Sequence, residues 1–197
     1  MRMNLLPIVG SVILISAGWT QASPPESIQR KLAAVRQQIE FRLVQLADEY
    51  WHTGHHYKTM ALMFVLMEYD PHDVENIGGL AWLLDSYGES ARALQVYQRG
   101  IRLNPNRYDL YYDLGFMYFN KRQYAQALPY LEKAGQFADA PAFVWKTLAH
   151  CYERLERYQQ SLQAWEKVKQ IDPSDSAIEP NMQRVRQKLQ EQPTNSS

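Results

Sequence analysis

Apolar positions recur at helical spacing along most of the chain, and the pattern itself repeats every 34 residues. A shift of one period aligns Leu46, Leu80, Leu114 and Leu148; Ala47, Ala81, Gly115 and Ala149; and Tyr50, Leu84, Tyr118 and Tyr152. Further columns hold Thr59, Ala93, Ala127 and Ser161, then Met60, Leu94, Leu128 and Leu162, and finally Pro71, Pro105, Asp139 and Pro173. Leu43, Ile77, Tyr111 and Trp145 complete the inward face of each first helix. Within one unit, Tyr111, Leu114, Gly115 and Tyr118 fall at i, i+3, i+4 and i+7, which is one face of a helix. The pattern predicts four helix-turn-helix units over 40–73, 74–107, 108–141 and 142–175.

Each column has a physical reason. The Ala/Gly column marks a close helix crossing where nothing beyond a methyl fits, and the Thr/Ala/Ala/Ser column is its small partner on the second helix. Proline stops the second helix because it has no N–H to donate into a last turn. In the third unit Asp139 stands at that position, and Pro141 is expected to take over the stop. One hairpin leaves an apolar face bare and must stack on a neighbour.

The period, the Trp145…Leu148-Ala149…Tyr152 run, the small Ser161 before Leu162, and Pro173 together resemble the tetratricopeptide repeat family over residues 40–175. The first unit departs most, with Thr59, Met63 and Leu66 where smaller or aromatic residues are usual. The resemblance implies an all-α fold, an α-solenoid whose concave face is made by the first helices, with protein binding as the default role; the last step is by analogy. Peptide-binding members often carry a lysine and asparagine clamp for a terminal carboxylate. The corresponding columns here read Val44, Gly78, Tyr112, Lys146 and Asp48, Trp82, Phe116, His150, so the clamp is absent and that specificity is not carried over.

The ends differ from the repeats. Arg2, the apolar run Leu5 to Ala17 and the small-residue end at Thr20-Gln21-Ala22 read as a secretory signal over 1–22. An uncleaved anchor is the alternative. Residues 23–39 form a helical extension: Ser23-Pro24-Pro25-Glu26 reads as a helix start, and Ile28, Leu32, Val35 and Ile39 continue one apolar stripe toward Tyr50. That stripe precedes the repeats and suits self-association. At the other end, Ser176 and Glu179 read as a capping box opening a solvating cap helix over 176–191, with Ile178, Met182, Val185 and Leu189 inward. Residues 192–197 hold no apolar side chain and are expected to form a disordered tail.

Composition narrows the function. The formal net charge is zero, which removes any global pull toward nucleic acid or anionic lipid. The single cysteine, Cys151, excludes an intrachain disulfide and falls in a column with Leu83 and Met117, where a buried filler is expected. No phosphate-binding glycine loop, serine elbow or paired-cysteine motif is present. His52, His55 and His56 are close enough in sequence to hold a metal, but they sit at an interhelical turn where polar residues are usual. His72 lies at the far end of the next helix. No cofactor is expected.

The side chains predicted to face the groove are more informative. Trp51, Trp82, Tyr112, Phe116 and Phe119 would form an aromatic patch, continued by Lys146, His150 and Arg154. The alternative is that these rings stack on one another as core. The first half of the groove is acidic (Asp48, Glu75, Asp85, Asp109, Asp113) and the second basic, with Arg184 and Lys188 on the cap helix and Glu153 the exception. Two functions follow. One is a non-enzymatic scaffold or adaptor of the cell envelope, extracytoplasmic and free of stable membrane insertion after signal cleavage, binding an extended or helical protein segment. The other is a ligand- or metal-binding protein assisting envelope assembly or cofactor maturation.

Overall fold

The computed structural model describes residues 25–192, and the chain divides into two compact units, 1–38 and 39–197. The proposed signal at 1–22, the cap residue Ser23 and the tail after Gln192 lie outside the described residues. Among the described residues there are nine helices and no strand: α1 (Glu26–His52), α2 (His56–Tyr69), α3 (Val74–Ser86), α4 (Ser90–Leu103), α5 (Tyr108–Asn120), α6 (Tyr124–Gly135), α7 (Ala142–Arg154), α8 (Tyr158–Ile171) and α9 (Ile178–Glu191). None is long and apolar enough to cross a membrane. In the first unit the helical residues expose Ile28, Leu32 and Val35.

In the second unit α3 pairs with α4, α5 with α6 and α7 with α8, and each hairpin packs on the next. The first helices also approach one another, α3 with α5 and α5 with α7, whereas the second helices show no comparable approach. The stack therefore curves with the first helices inside. This is an α-solenoid, closed by α9, whose Ile178 and Met182 are buried against Ala149, Trp165 and Val168 and whose Val185 is buried as well.

The small-residue columns sit at the helix crossings. Ala81, Ala93, Ala127 and Ala149 are wholly buried. A Cβ on Gly115 would lie 2.8 Å from Leu131 Cγ and 3.1 Å from the Leu131 backbone nitrogen, so α5 and α6 touch backbone to side chain there. Where the second-helix column holds a hydroxyl, it ties the crossing: Thr59 Oγ1 donates to the Ala47 carbonyl at 3.3 Å, and Ser161 Oγ to the Ala149 carbonyl at 2.8 Å. Cys151 is buried as filler, and burial pushes its thiol up to about 11.

The repeat is also written in the backbone. Gly54, Gly88, Arg122 and Glu156, one period apart, all take the left-handed conformation, with φ of 75°, 80°, 59° and 59°. The column has no shared side-chain chemistry and shows no sequence pattern. For Arg122 and Glu156 this backbone is strained. Arg122→Gly is expected to stabilise the fold by about 0.5 kcal/mol despite the added unfolded-state entropy. Gly88→Ala should cost about 1 kcal/mol. Urea unfolding of the two variants checks the opposite signs.

Two expectations need correction. Pro141 does not stop α6; it immediately precedes α7, and α6 already ends at Gly135. A Cβ on Gly135 would come within 3.3 Å of Trp145, so this poor helix former is set by packing and ends the helix early. Nor does Ser176 cap α9: Ala177 occupies the cap position and no side chain bonds to the helix end. Asp175 instead shapes the turn before the helix, accepting the Ala177 N–H at 2.9 Å while pairing with Lys146 from α7.

Candidate peptide-binding groove

The inner face is lined by α1 (from Ile39 on), α3, α5 and α7. Trp82 is 59% exposed and Phe116 38% exposed, and Trp51 is exposed as well. Trp51 and Trp82 approach at 6.5 Å between centroids. Phe116 stacks on Tyr112 at 5.6 Å, and Phe143 meets Tyr112 edge-on at 4.9 Å. Tyr112 is half-buried, and its hydroxyl lies 3.3 Å from Thr147 Oγ1. The face thus carries a run of rings open to solvent on the side away from the core.

Two clefts open on this face, with Gly79 and Trp82 common to both. One, of about 410 Å³, is mainly apolar, with Val44, Ala47, Met63, Leu66 and Leu83 among its walls. The other, of about 420 Å³, lies between α3 and α5 and is lined by Gly78, Trp82, Tyr97, Tyr112, Asp113 and Phe116, with Asp85 at its side. Burial first, then the charge of Asp109, push the Asp113 carboxyl up to about 6. Burial likewise raises the Tyr97 phenol above its ordinary value, with Asp113 and Asp85 adding to it.

The other predicted site residues are placed differently. Phe119 is half-buried, edge-on to Tyr124 at 5.3 Å within the α6/α7 core, so its ring serves packing more than the groove. Lys146 is held by Asp175. His150 is half-buried, edge-on to the buried Trp165 at 5.2 Å and 3.7 Å from Glu153. Burial lowers its pKa, with Arg184 and Arg154 acting in the same direction against Glu153. Glu153 itself receives Arg184 at 2.9 and 2.7 Å and Lys188 at 2.9 Å. The basic half of the groove is therefore largely neutralised within the chain. Arg154 is the exposed exception, with no hydrogen bond or ion pair among the described residues.

The histidines do not converge. His52 Nδ1 lies 2.9 Å from the Asp48 carbonyl, His55 Nδ1 3.1 Å from the Thr53 carbonyl, and His56 packs on Trp51 and Tyr87. Among the described residues no group of three or more His, Cys, Asp or Glu is placed to hold a metal. His72 sits 2.9 Å from Asn104 Oδ1, while Asn104 Nδ2 donates to the Pro71 carbonyl, which joins successive interrepeat turns.

Two groove residues escaped the sequence reading as site residues. Phe143 is 45% exposed, but its column holds Glu75 and Asp109 as well as Phe41 and reads as mixed. Asp113 reads as one acid among five; only its packing against Gly78 sets it apart.

Three stacked helical hairpins, α3/α4, α5/α6 and α7/α8, closed by α9 define an α-helical repeat solenoid. A family model described as tetratricopeptide repeat matches residues 80–180, and the chain belongs to the tetratricopeptide repeat family, whose members bind protein or peptide partners. Among curated proteins it is 27% identical over 93 residues to the general transcriptional corepressor trfA of Dictyostelium discoideum, a match covering 47% of this chain but only 6% of that protein. Among solved structures, a double mutant of MamA from RS-1 matches with a TM-score of 0.63 at 20% identity, over 77% of this chain and 85% of that one. PilF of Pseudomonas aeruginosa gives 0.64 at 18%, over 79% and 71%. YrrB, described as a TPR protein with an unusual peptide-binding site, gives 0.60 at 17%, over 81% and 83%. At these identities the structural likeness shows the fold alone.

Proposed function

We propose that this chain is a non-enzymatic scaffold of the cell envelope that holds an extended or helical polypeptide segment against the inner face of its first helices. The observation that carries the reading is the solvent exposure of Trp82 and Phe116 beside two open clefts. Large rings left in water on a contiguous face mark a binding surface, and aromatic anchors dominate binding energy. The peptide-binding site named for YrrB agrees with it. The extracytoplasmic location rests on the apolar run Leu5 to Ala17 and its small-residue end. The exposed stripe Ile28, Leu32 and Val35 suits pairing with a second copy through the N-terminal helix.

Selection of displayed random peptides on the purified chain tests the groove. The peptides retained should shift the backbone amide resonances of α3 and α5 and leave those of α6 and α8 unmoved. Selected peptides that map to the outer, second-helix face would refute the reading.

A further inference from the structure

We propose that the cleft between α3 and α5 receives the side chain of a lysine or arginine from the bound polypeptide, with an apolar side chain of the same segment in the adjoining cleft between α1 and α3. This rests on the peptide-groove reading and adds its specificity.

The walls of the α3/α5 cleft are the rings of Trp82, Tyr112 and Phe116. Aromatic faces attract a cation and accept the aliphatic stem that carries it. The charge opposite is Asp113. Gly78 presents bare backbone to it: a Cβ there would fall 2.6 Å from Asp113 Oδ2, so any larger residue would displace the carboxylate. Of the other acids near it, Asp85 and Asp109 already have cations, and Glu75 has no ion pair among the described residues. Lys121 pairs with Asp85, which Ser90 Oγ also reaches at 2.7 Å, and Arg107 holds Asp109 at 3.0 Å. Asp113 has no hydrogen bond or ion pair among the described residues, although it is partly withdrawn from water. A desolvated carboxylate without a partner is costly, and a cation brought by a ligand relieves that cost.

The second cleft fixes what lies beside the basic residue. It shares Gly79 and Trp82 with the first; Ala47, Met63, Leu66 and Leu83 make its lining mainly apolar, with Asp48, Asp73 and Glu75 also on its walls. A segment crossing Trp82 thus meets a mainly aliphatic recess on one side and, on the other, an aromatic one that holds the unpaired Asp113. On the basic side of the groove Lys146 is satisfied by Asp175, and Arg184 and Lys188 by Glu153, which leaves little to draw an acidic ligand there.

Occupancy should depend on pH. The titratable groups facing Asp113 are Asp109 on its own helix, Glu75 and the Lys121-bound Asp85 around α3, and the phenols of Tyr97 on α4 and Tyr112 on α5, which stay neutral throughout. As pH falls through the range where Asp113 takes up a proton, the pocket loses its charge and the basic side chain its partner.

The probes are the display-selected peptides, resynthesised with each lysine or arginine replaced by norleucine, which removes the charge and keeps the stem. Affinity is read by fluorescence anisotropy on wild type and Asp113→Asn, with helicity checked. Asp113→Asn removes a carboxyl that folding disfavours when ionised, so the variant should fold. Selected peptides are expected to carry a basic residue next to an apolar one. Norleucine should weaken binding about tenfold on wild type and less than about twofold on Asp113→Asn. Binding of the parent peptide should weaken between pH 7.5 and 5 on wild type, and less on Asp113→Asn. Norleucine peptides that bind as tightly as their parents, or lose the same factor on both proteins, overturn the pocket and leave the groove standing. Peptides whose affinity is unchanged by a folded Trp82→Ala overturn the pocket and the groove together.

Discussion

Trp165→Ala is expected to cost about 3–5 kcal/mol, the range for removing a fully buried aromatic side chain. Trp165 has no exposed surface and is the common contact of the α7/α8 hairpin and α9, packed with Ala149, Val168, Ile178 and Met182. In a solenoid each repeat is stabilised chiefly by its neighbours, so the loss should stay local. Amide exchange is expected to accelerate strongly in α8 and α9 and much less in α3 to α5. Uniform acceleration through all the helices would contradict this account. The indole Nε1 is buried without a hydrogen-bond partner. Trp165→Phe removes that orphan donor while keeping a ring, so it should cost under about 1 kcal/mol.

Acid should loosen the same end of the molecule. Burial alone would raise the Glu153 carboxyl, but hydrogen bonds and charges from Arg184 and Lys188 prevail and hold it at about 2, against an ordinary value of 4.5. The folded pKa is depressed. The stability that Glu153 contributes is therefore complete above about pH 4.5 and is lost as pH falls toward 2. Its two cations are more than a third exposed and can turn to water, so Glu153→Gln is expected to cost about 2 kcal/mol at neutral pH, below the figure for a fully buried pair. His150, lowered mainly by burial, acts in the same sense below 6.5. Asp113 acts in the opposite sense: its folded pKa is raised, so its destabilising effect is present above about pH 6 and fades as pH falls toward 3.8. Denaturant midpoints from pH 7 to 2 should show a steep acid limb in wild type that Glu153→Gln flattens. An unaltered limb would mean that Glu153 is not the tie between α7 and α9.

Much of the fold was legible because the repeat imposes the same packing demand in α3/α4, α5/α6 and α7/α8. Ala81, Gly115 and Ala149 occupy one column because one helix crossing recurs, and a crossing admits only one size of side chain. The failures fall where the demand is met by a single nonrecurring contact. Gly135 ends α6 because Trp145 packs on it, and Asp175, not Ser176, shapes the turn before α9 because Lys146 and the Ala177 N–H both reach it. The left-handed turn at Gly54, Gly88, Arg122 and Glu156 was illegible for a different reason, since two of its four residues carry no glycine to announce it.

The groove was legible only in part. Trp51, Trp82, Tyr112 and Phe116 stand where the helical phase put them. Their exposure depends on what neighbouring helices leave uncovered, which no single helix encodes. The charge gradient misled for a related reason: Lys146, Arg184 and Lys188 share the inner side with acids that a linear reading placed elsewhere or treated as an exception. Asp175 and Glu153 neutralise them in the folded chain.

The affinity of a display-selected peptide for Phe116→Ala, at low and high salt, tests the groove most directly. Phe116 is open to solvent and stacks on Tyr112 and Phe119, so its truncation should leave helicity intact. If the ring anchors the ligand, binding should weaken by about 2 kcal/mol, roughly thirtyfold, and by nearly the same factor at both salt concentrations, because the lost contact is apolar. Unchanged affinity in the folded variant would mean that the aromatic run is packing between adjacent helices and not a binding surface.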